Sequence, residues 1–459
     1  MSTLKKIDPK SVAAAEESIS LFALPPSIAA YNKTQVRELL PLTSIERNGP
    51  FTFRLFSDSN FIDFSRTYIS LTVSITKRTE DGAKYEKLAA TEDDKNISVV
   101  QNFNLSFIRQ LKILINSVQA YDSGVFYPFL RYVEKEFFRS FDSKVGLDFT
   151  GLYSSDRNTV EPISQSSPEN KGFKHRAKPF AKSAQVTTYG RLEFDLAEQK
   201  SLFLPNSDVL FIIYPSSDDF LLLMPPYKKA ANGARTVNGS HYRLNLHAIK
   251  LYVTLVDVTQ SINNQIARHL ETTPAKYPLR KREIRTTFMS VGLTTLHQPV
   301  WQAVTPRKVL VFFCSRKKFD GHLEHSPFEF VNASVESISV ESGGVIVPST
   351  PYRIGFGDED SSFIRTFYDF MLAIDGEQND LQLEPAQYKK GGYCGFGFDF
   401  RTLQRDLDAF ELIKNSTTTV HLQLSKAVED DGLMLIVFGE FDSILTVDAN
   451  RVLSFDGSI

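Results

Sequence analysis

The chain of 459 residues carries 52 Lys and Arg against 54 Asp and Glu, so its formal net charge is −2 and no global basic field argues for nucleic-acid binding. Hydrophobic residues make up 42% of the chain, enough for full cores, and 37 Phe and 17 Tyr accompany a single Trp. Phe and Tyr suit pleated, half-buried surfaces, so this composition favours a β-rich protein. A large β-domain uses roughly 200–250 residues, and the length therefore fits two such domains better than three small ones.

The two cysteines and the lack of long apolar runs suggest where the protein is made. Cys314 and Cys394 lie inside apolar alternation and are expected to be small buried hydrophobes, not a disulfide or a metal pair. The N-terminus leads into charged residues, and no stretch approaches the roughly 20 apolar residues of a membrane-spanning helix. We therefore expect a soluble protein made in a reducing compartment.

Residues 1–40 contain small apolar clusters separated by Pro25 and Pro26 and have no predicted core of their own. We interpret them as an N-terminal arm, either packed on another surface or partly disordered. Strand periodicity follows: residues 50–55, 61–76 and 107–118 are predicted strands, and residues 61–76 alternate with a period of two and one buried face. Residues 77–95 are charged and contain Asp-Gly, which predicts a hairpin-type excursion.

The period changes at residues 127–138, where apolar residues recur every three or four positions and Pro128 stands near the first turn. This pattern predicts an amphipathic helix inserted among strands. Residues 148–182 are rich in Ser, Asn and Lys and are interpreted as a long surface loop. After this loop the sequence predicts three strands and a further loop, at 190–196, 209–214, 220–224 and 225–240 respectively.

A hinge region separates two similar halves. Residues 242–258 alternate as one long strand, and residues 259–271 are polar and predicted to be helical. Pro274 and Pro278 then interrupt the pattern, and a second alternating run starts at Arg280. We divide the chain into the following segments. They are an N-terminal arm (1–40), a first β-domain (41–258), an interdomain connector (259–281) and a second β-domain (282–459).

The second half repeats the order of strands and helix predicted for the first half. A helix is predicted at 361–372, and the strand at 395–400 resembles the one at 191–196, with Phe398 opposite Phe194 and Asp399 opposite Asp195. Further strands are predicted at 307–314, 328–340, 417–424, 433–441 and 444–447. This repetition indicates a tandem duplication of one all-β unit. The predicted fold class is all-β, with two tandem eight-stranded jelly rolls, a double jelly roll, each with a short inserted helix.

Two basic stretches have competing interpretations. Residues 171–182 interleave Lys, His and Arg with Phe, which suits contact with DNA, although a solvated or intersubunit loop is favoured because the cluster is short and the net charge of the chain is negative. Arg280, Lys281 and Arg282 match a nuclear-import patch, but the connector interpretation is favoured.

Possible metal and catalytic patterns are weak. His322 and His325 flank Glu324 in a turn bounded by Gly and Pro, without the helical spacing of zincins, and residues 358–360 are three acidic residues before a helix. Neither a phosphate-binding Gly-x-x-x-x-Gly-Lys-Ser/Thr loop nor a Gly-x-Ser-x-Gly elbow occurs. Catalysis needs an acid, a base and a nucleophile that converge. We assign no catalytic, cofactor-binding or metal-binding residue and expect no enzyme activity.

Several segments in order resemble one family. They are Leu40-Pro-Leu-Thr-Ser-Ile45 with residues 60–69, Phe126-Tyr-Pro-Phe-Leu-Arg-Tyr-Val-Glu134, Tyr277-Pro-Leu-Arg-Lys281, Ser326-Pro-Phe-Glu-Phe330 and the closing residues 440–451. The chain resembles, over residues 38–455, the double-jelly-roll major capsid proteins of Polinton/Maverick elements and the related adintoviruses. It departs from that pattern at Asp320 and Ser326, where the family has Asn, and residues 148–182 have no counterpart.

The resemblance implies a structural role. Three chains would form a homotrimeric, pseudo-hexagonal capsomer, and capsomers would tile an icosahedral shell of a double-stranded DNA virus or virus-like transposon. The implied partners are neighbouring capsomers, penton and minor capsid proteins, and packaged double-stranded DNA in non-specific contact, with no small-molecule substrate and no cofactor. The implied location is the virion, after synthesis in the host cytoplasm and assembly there or in the nucleus.

Two alternatives use the same fold. A tandem carbohydrate-binding, lectin-like module would present Trp or Tyr platforms on exposed loops, and the single Trp301 weighs against it. A cupin-type enzyme would need a His/Glu metal set on facing strands. The histidines lack that spacing at His247, His322, His325 and His421.

Overall fold

The structure is a computed structural model that describes residues 10, 24, 27–46, 48–79, 83–89, 96–139, 150–155, 164–224, 242–357, 359–376, 381, 383–403, 410, 412, 415–429 and 431–456. The strands of the first half are β1 (Tyr31–Leu39), β2 (Phe51–Phe56), β3 (Phe61–Arg78), β4 (Tyr85–Lys87), β5 (Ser98–Val99), β6 (Ile108–Ile115), β7 (Val118–Asp122), β8 (Val186–Arg191), β9 (Asp208–Pro215), β10 (Leu222–Leu223) and β11 (Tyr242–Val258). Those of the second half are β12 (Ala275–Met289), β13 (Thr295–Trp301), β14 (Lys308–Ser315), β15 (Val335–Ser342), β16 (Val345–Val347), β17 (Gly395–Asp399), β18 (Thr418–Leu424), β19 (Leu433–Val447) and β20 (Leu453–Asp456).

The helices are α1 (Phe103–Ser106), α2 (Tyr127–Phe138), α3 (Lys171–Ala177), α4 (Asp218–Leu221), α5 (Gln260–Thr272), α6 (Arg316–Phe319), α7 (Ile364–Ala373) and α8 (Pro385–Lys390). Short 3-10 helices are Gly124–Phe126, Lys178–Ser183 and Asp195–Glu198. No helix of the described residues is both long enough and apolar enough to span a membrane.

Each half contains two antiparallel sheets with the same strand order. In the first half the order is β1-β11-β3-β8, with β4 also on β3, and β2-β9-β6-β7. In the second half it is β12-β19-β14-β17, with β20 on β19, and β13-β18-β15-β16. When β4, β5, β10 and β20 are set aside, both halves read first-eighth-third-sixth and second-seventh-fourth-fifth. The predicted pair of eight-stranded jelly rolls is confirmed, and we name them the first and second jelly rolls.

Alternation along β3 shows how the sequence specifies a sheet face. Ile69, Leu71 and Val73 are fully buried inside the first jelly roll, whereas Tyr68 and Ser70 point to the opposite face and are half-buried. Because side chains alternate along a strand, a shift of one residue in register would expose this apolar set. The pairing of Ile69 with Leu251 and of Leu71 with Ile249 keeps the apolar faces of β3 and β11 together.

The inserted helices occupy the same topological position in both halves. Helix α2 lies between β7 and β8, which are the fifth and sixth strands of the first jelly roll, and α7 lies between β16 and β17, which are the fifth and sixth strands of the second. The predicted helix at 127–138 is therefore confirmed with the same bounds, and the one predicted at 361–372 starts at Ile364.

The first sheet begins earlier than we predicted. Strand β1 lies inside the segment that we assigned to the N-terminal arm, and it pairs with β11 from Tyr31 to Leu39. Eight of its nine residues are exposed and only Leu39 is buried, so hydrophobic alternation could not reveal the strand. Residues 1–9 and 11–23 of the predicted arm lie outside the described residues.

The hinge also differs from its prediction. Helix α5 follows β11 as expected, but β12 already begins at Ala275 and runs through Pro278 to Met289, so residues 280–282 belong to a strand and not to a connector. Pro278 is tolerated there because β12 is an edge strand, paired on one side with β19.

The predicted equivalence of residues 191–196 and 395–400 is wrong. The sixth strand of the first jelly roll is β8, which ends at Arg191, and Asp195 begins a 3-10 helix. Phe194 and Phe398 are both fully buried. The similar Phe-Asp pairs therefore reflect two buried aromatic rings, not the same place in the strand order.

Candidate assembly surfaces

Helix α2 lies at the junction of the two jelly rolls and is buried from Tyr127 to Phe137. An ordinary surface helix buries only one stripe, so burial of all its faces means that it is packed from several sides. On its own side, Tyr127 donates a hydrogen bond from Oη to the carbonyl of Glu193 at 2.8 Å, and Arg139 pairs with the Glu193 carboxylate at 2.7 Å. Glu193 follows β8, so α2 lies over the chain that leaves the sixth strand of its own jelly roll.

On its other side, α2 packs its rings against the second jelly roll. The Tyr132 ring stacks on Phe328 with centroids 4.2 Å apart. Three further pairs continue this contact. They are Phe129 with Phe319 at 4.8 Å, Phe137 with Phe312 at 5.4 Å and Phe138 with Phe438 at 5.5 Å. Such pairs contribute about 0.5–1.5 kcal/mol each beyond the burial of their area, so this junction is a continuous aromatic core.

Helix α2 packs on the sheet β12-β19-β14-β17 of the second jelly roll. It contacts the outer face of this sheet, which is the side turned away from the jelly-roll interior. Gly439 lies opposite Val309 and against Trp301 of the other sheet, which places Val309 on the inner face. Alternation then puts Leu310 and Phe312 of β14 on the outer face, and both are fully buried. Outer-face burial in the second jelly roll is therefore produced in part by a helix of the first.

Arg282 joins the two halves electrostatically. Its Nη1 lies 3.2 Å from Glu134 of α2 and 2.7 Å from Glu198, and its Nε lies 3.0 Å from Glu440 of β19. Burial disfavours the charge on Glu440, but Arg282 and Lys308 outweigh it and hold the pKa of this carboxyl below its ordinary value. Burial raises the pKa of Glu134, against the opposing effect of Arg131 and Arg282.

Asp195 is a second carboxyl at this junction whose pKa is raised by burial. Burial raises its pKa from the ordinary 3.8 to about 7, and Arg131, whose Nη2 lies 3.9 Å from the carboxylate, offsets only part of that effect. Burial thus favours the protonated form of this carboxyl beside the junction helix.

The basic stretch at 171–182 is not the surface loop that we predicted. Asn170 caps α3 by accepting hydrogen bonds from the backbone N–H groups of Gly172 and Phe173. Phe173 and Phe180 are buried, and Arg176 is also buried, with its Nε 2.8 Å from the carbonyl of Val99. The lysines nevertheless remain exposed, at Lys171, Lys174, Lys178 and Lys182. Residues 148–149 and 156–163 of the predicted loop lie outside the described part of the chain.

The other basic stretch has structural partners. Arg280 lies 3.5 Å from Asp442, and Lys281 lies 2.9 Å from Glu283. Arg280 and Arg282 therefore pair β12 with β19, whereas the Lys281–Glu283 pair lies within β12. The cluster belongs to a strand and not to a connector, and the import patch stays a prediction.

The histidine turn brings three possible ligands together. Ligand atoms of His322, Glu324 and His325 lie within 4.8 Å of one another, and all three residues are half-buried. Burial lowers the pKa of both imidazoles. A structural zinc site needs four ligands, and these three residues supply three.

The acidic residues before α7 are the second candidate for a cation site. The Asp360 carboxylate accepts a hydrogen bond from the backbone N–H of Ser362 at 2.8 Å, and Asp358 lies outside the described residues.

The remaining residues named for the alternatives are separate. His247 of β11 contacts Ser74, whereas His421 of β18 contacts His297, with Nδ1 atoms 2.7 Å apart. These histidines belong to different jelly rolls. Trp301 is buried against Phe441 and presents no exposed platform.

Two exposed surfaces were missed by the sequence analysis. The first, the helix stripe, consists of Ile364, Tyr368 and Leu372, which are 43%, 55% and 44% exposed on α7. Their spacing of four residues was visible in the sequence and marks one helix face.

The second exposed surface, the tyrosine face, lies on the outer face of the first jelly roll. It is formed by Tyr68, Ser70, Thr72, Thr187, Tyr189 and Tyr252 of β3, β8 and β11. The rings of Tyr68 and Tyr189 stack at 5.2 Å, and Tyr189 and Tyr252 lie 5.6 Å apart.

Comparison with known proteins gives a consistent fold. No family model matches the chain. The uncharacterised Caenorhabditis elegans protein F54H12.2 is 23% identical over 416 residues, which cover 89% of this chain and 93% of that protein.

Similar solved structures come from viruses and virophages. A chain of the Sputnik virophage has a TM-score of 0.66 at 13% identity, covering 99% of this chain and 94% of its own. The mavirus major capsid protein has a TM-score of 0.54 at 11% identity, covering 99% and 96%. The Faustovirus major capsid protein has a TM-score of 0.58 at 10% identity, covering 95% and 93%. The chain therefore has the double-jelly-roll fold of viral major capsid proteins.

Proposed function

We propose that this protein is a major capsid protein whose chains assemble as homotrimeric, pseudo-hexagonal capsomers of an icosahedral shell. The observation that carries the proposal is the similarity to viral major capsid proteins across both jelly rolls, with almost the whole of each chain covered. A structural role needs extended contact surfaces and no convergent catalytic group. The aromatic junction between the two jelly rolls supports that role, since it fixes them as one building block.

The finer assignment rests on the sequence segments. The ordered resemblance of residues 38–455 to the Polinton/Maverick and adintovirus capsid proteins supports a shell built around double-stranded DNA. The proposed partners are neighbouring capsomers and the penton and minor capsid proteins, and the proposed location is the virion. Non-specific contact with packaged DNA would fall to the exposed lysines of residues 171–182, because phosphate contacts need only accessible cations.

Light scattering and negative-stain electron microscopy of the purified full chain test the proposal. We expect compact triangular particles near three times 51.9 kDa, or closed shells. A monodisperse monomer at high concentration would contradict the proposal, and a glycan-binding screen would then test the lectin-like alternative.

A further inference from the structure

The two inserted helices are equivalent in topology but unequal in burial. Helix α2 lies over the chain leaving the sixth strand of the first jelly roll, and its far side is covered by the second jelly roll. Helix α7 lies over β17, the sixth strand of the second jelly roll. A Cβ on Gly397 would approach the Ala373 Cβ to 2.6 Å, so the small residue at this position lets α7 lie directly on the strand. The far side of α7 is the exposed helix stripe.

The outer sheet faces of the two jelly rolls also differ in burial, but here the first jelly roll has the more exposed face. In the second jelly roll, Leu310 and Phe312 of the third strand are fully buried under α2 and α7. In the first jelly roll, Tyr68 and Ser70 of the third strand are half-buried, and Tyr189 is 39% exposed. The tyrosine face is therefore the outer-face counterpart of the surface that receives α2.

We infer that the helix stripe of one chain docks on the tyrosine face of a second copy, which repeats between chains the contact that α2 makes within one chain. The inference rests on the proposed function and specifies the surfaces of its trimer. The helix stripe and the tyrosine face lie on different jelly rolls of one chain, so a contact between two copies covers both surfaces.

The chemistry of the two surfaces suits this partner. Ile364, Tyr368 and Leu372 present an apolar face, and the tyrosine face presents aromatic rings and hydroxyl groups. The charged residues in register with it are Lys250 beside Ser70, Arg191 beside Tyr68 and Glu38 beside Tyr252. Lys250 and Glu38 pair with each other at 3.0 Å, and Arg191 donates a hydrogen bond to the carbonyl of Ala197. A contact between two different surfaces is heterologous and closes into a ring when its rotation permits. The tyrosine face would receive α7 as β14 and β19 receive α2.

Mass measurements on variants test the contact. Ile364→Asp with Tyr368→Asp, and separately Tyr189→Asp, are expected to raise the dissociation constant of the assembly at least tenfold. Circular dichroism, and the unfolding transition measured in dilute, dissociated protein, are expected to stay unchanged. Val345→Asp is the matched control and is expected to leave the mass of the assembly unchanged. Val345 is 53% exposed on β16, which belongs to the sheet of the second jelly roll that does not include β14 or β17. If the folded helix-stripe and Tyr189 variants assemble as the wild type does, the inferred contact is wrong. The proposed function would still stand in that case, because the wild type would remain a trimer. A monomeric wild type would overturn both.

Cross-linking between chains tests the direction of the contact. The chain's own Cys314 and Cys394 are buried, so introduced cysteines report selectively. A mixture of Tyr368→Cys chains with Ser70→Cys, Thr72→Cys or Thr187→Cys chains is expected to form disulfide-linked pairs under mild oxidation for at least one partner position. Cross-linking of Tyr368→Cys chains alone would overturn the inference, because it would mean that α7 faces its own copy. Loss of oligosaccharide binding in Tyr189→Asp with unchanged mass would also overturn it and would assign the tyrosine face to a glycan.

Discussion

Helices α2 and α7 hold the same place in two copies of one fold, yet α2 is buried from Tyr127 to Phe137 whereas α7 buries only Thr366, Phe370 and Ala373. The difference lies in what each helix meets beyond its own jelly roll. Helix α2 packs against the second jelly roll of the same chain. Helix α7 touches α2 where Phe370 contacts Phe137, with ring centroids 5.4 Å apart, but its opposite face, the helix stripe, is exposed. A duplicated fold can thus carry one contact inside the chain and leave its equivalent for a neighbouring copy.

The largest expected effect comes from opening the aromatic core under α2. Phe137→Ala removes a fully buried ring that contacts Phe312 and Phe370, and we expect a loss of about 3–5 kcal/mol in the free energy of unfolding. Chemical denaturation of the full chain measures it. A loss below about 1 kcal/mol would contradict the view that this helix joins the two jelly rolls.

The second-largest effect is expected from removing the ion pairs of Arg282, which join the two halves of the chain. Arg282→Met leaves Glu134 and Glu440 buried without this partner, which we expect to destabilise the chain by about 3 kcal/mol. Arg285→Met on the same strand is the matched control, because the Arg285 side chain is 54% exposed and its loss should cost less than about 0.5 kcal/mol. Equal unfolding midpoints for the two variants in denaturant would rule out a special role for Arg282.

Asp195 and Asp399, which the sequence analysis paired, are expected to respond in opposite directions. The folded chain binds a proton at Asp195 more tightly than the unfolded chain, so this residue lowers the stability increasingly as the pH rises from about 4 to about 7. Asp195→Asn should therefore stabilise the chain by on the order of 2 kcal/mol at pH 8 and by much less at pH 4.

Asp399→Asn supplies the contrast, because the Asp399 carboxylate lies 2.7 Å from Nη2 of the buried Arg401. Its loss should destabilise the chain by about 1–3 kcal/mol at neutral pH. Thermal unfolding of both variants between pH 4 and pH 8 measures the difference. A pH-independent effect of Asp195→Asn would contradict the burial argument.

The smallest expected effect concerns the helix stripe. Tyr368→Ala should change the free energy of unfolding by less than about 0.5 kcal/mol in dilute, dissociated protein, because more than half of the side chain is exposed. The difference between this loss and the loss for Phe137→Ala measures how much more α2 contributes than α7 to the stability of the single chain. A loss comparable with that of Phe137→Ala would mean that Tyr368 already contributes to the core of the single chain.

Much of the fold follows from local patterns. Alternation in β3 and β11 and the three-to-four period of α2 specify their elements, since a buried face imposes the period of the element that carries it. Strand β1 could not be predicted in this way, because it is stabilised by backbone pairing with β11 while its side chains remain in solvent. Lysine-rich composition suggested a loop at 171–182, yet Phe173, Arg176 and Phe180 anchor that segment in the core.

The assembly surfaces were harder to predict than the fold. The spacing of Ile364, Tyr368 and Leu372 is written in the sequence, but the same spacing describes a helix face that is buried within the chain. The tyrosine face joins residues that lie 184 positions apart, from Tyr68 to Tyr252, and becomes visible only when β3, β8 and β11 are paired.

Cryo-electron microscopy of the assembled wild-type protein shows which surfaces meet between chains. We expect a ring of three chains in which the helix stripe of each chain lies on the tyrosine face of the next. A ring in which both surfaces face solvent, or a protein that remains a single chain at every concentration, would contradict this expectation.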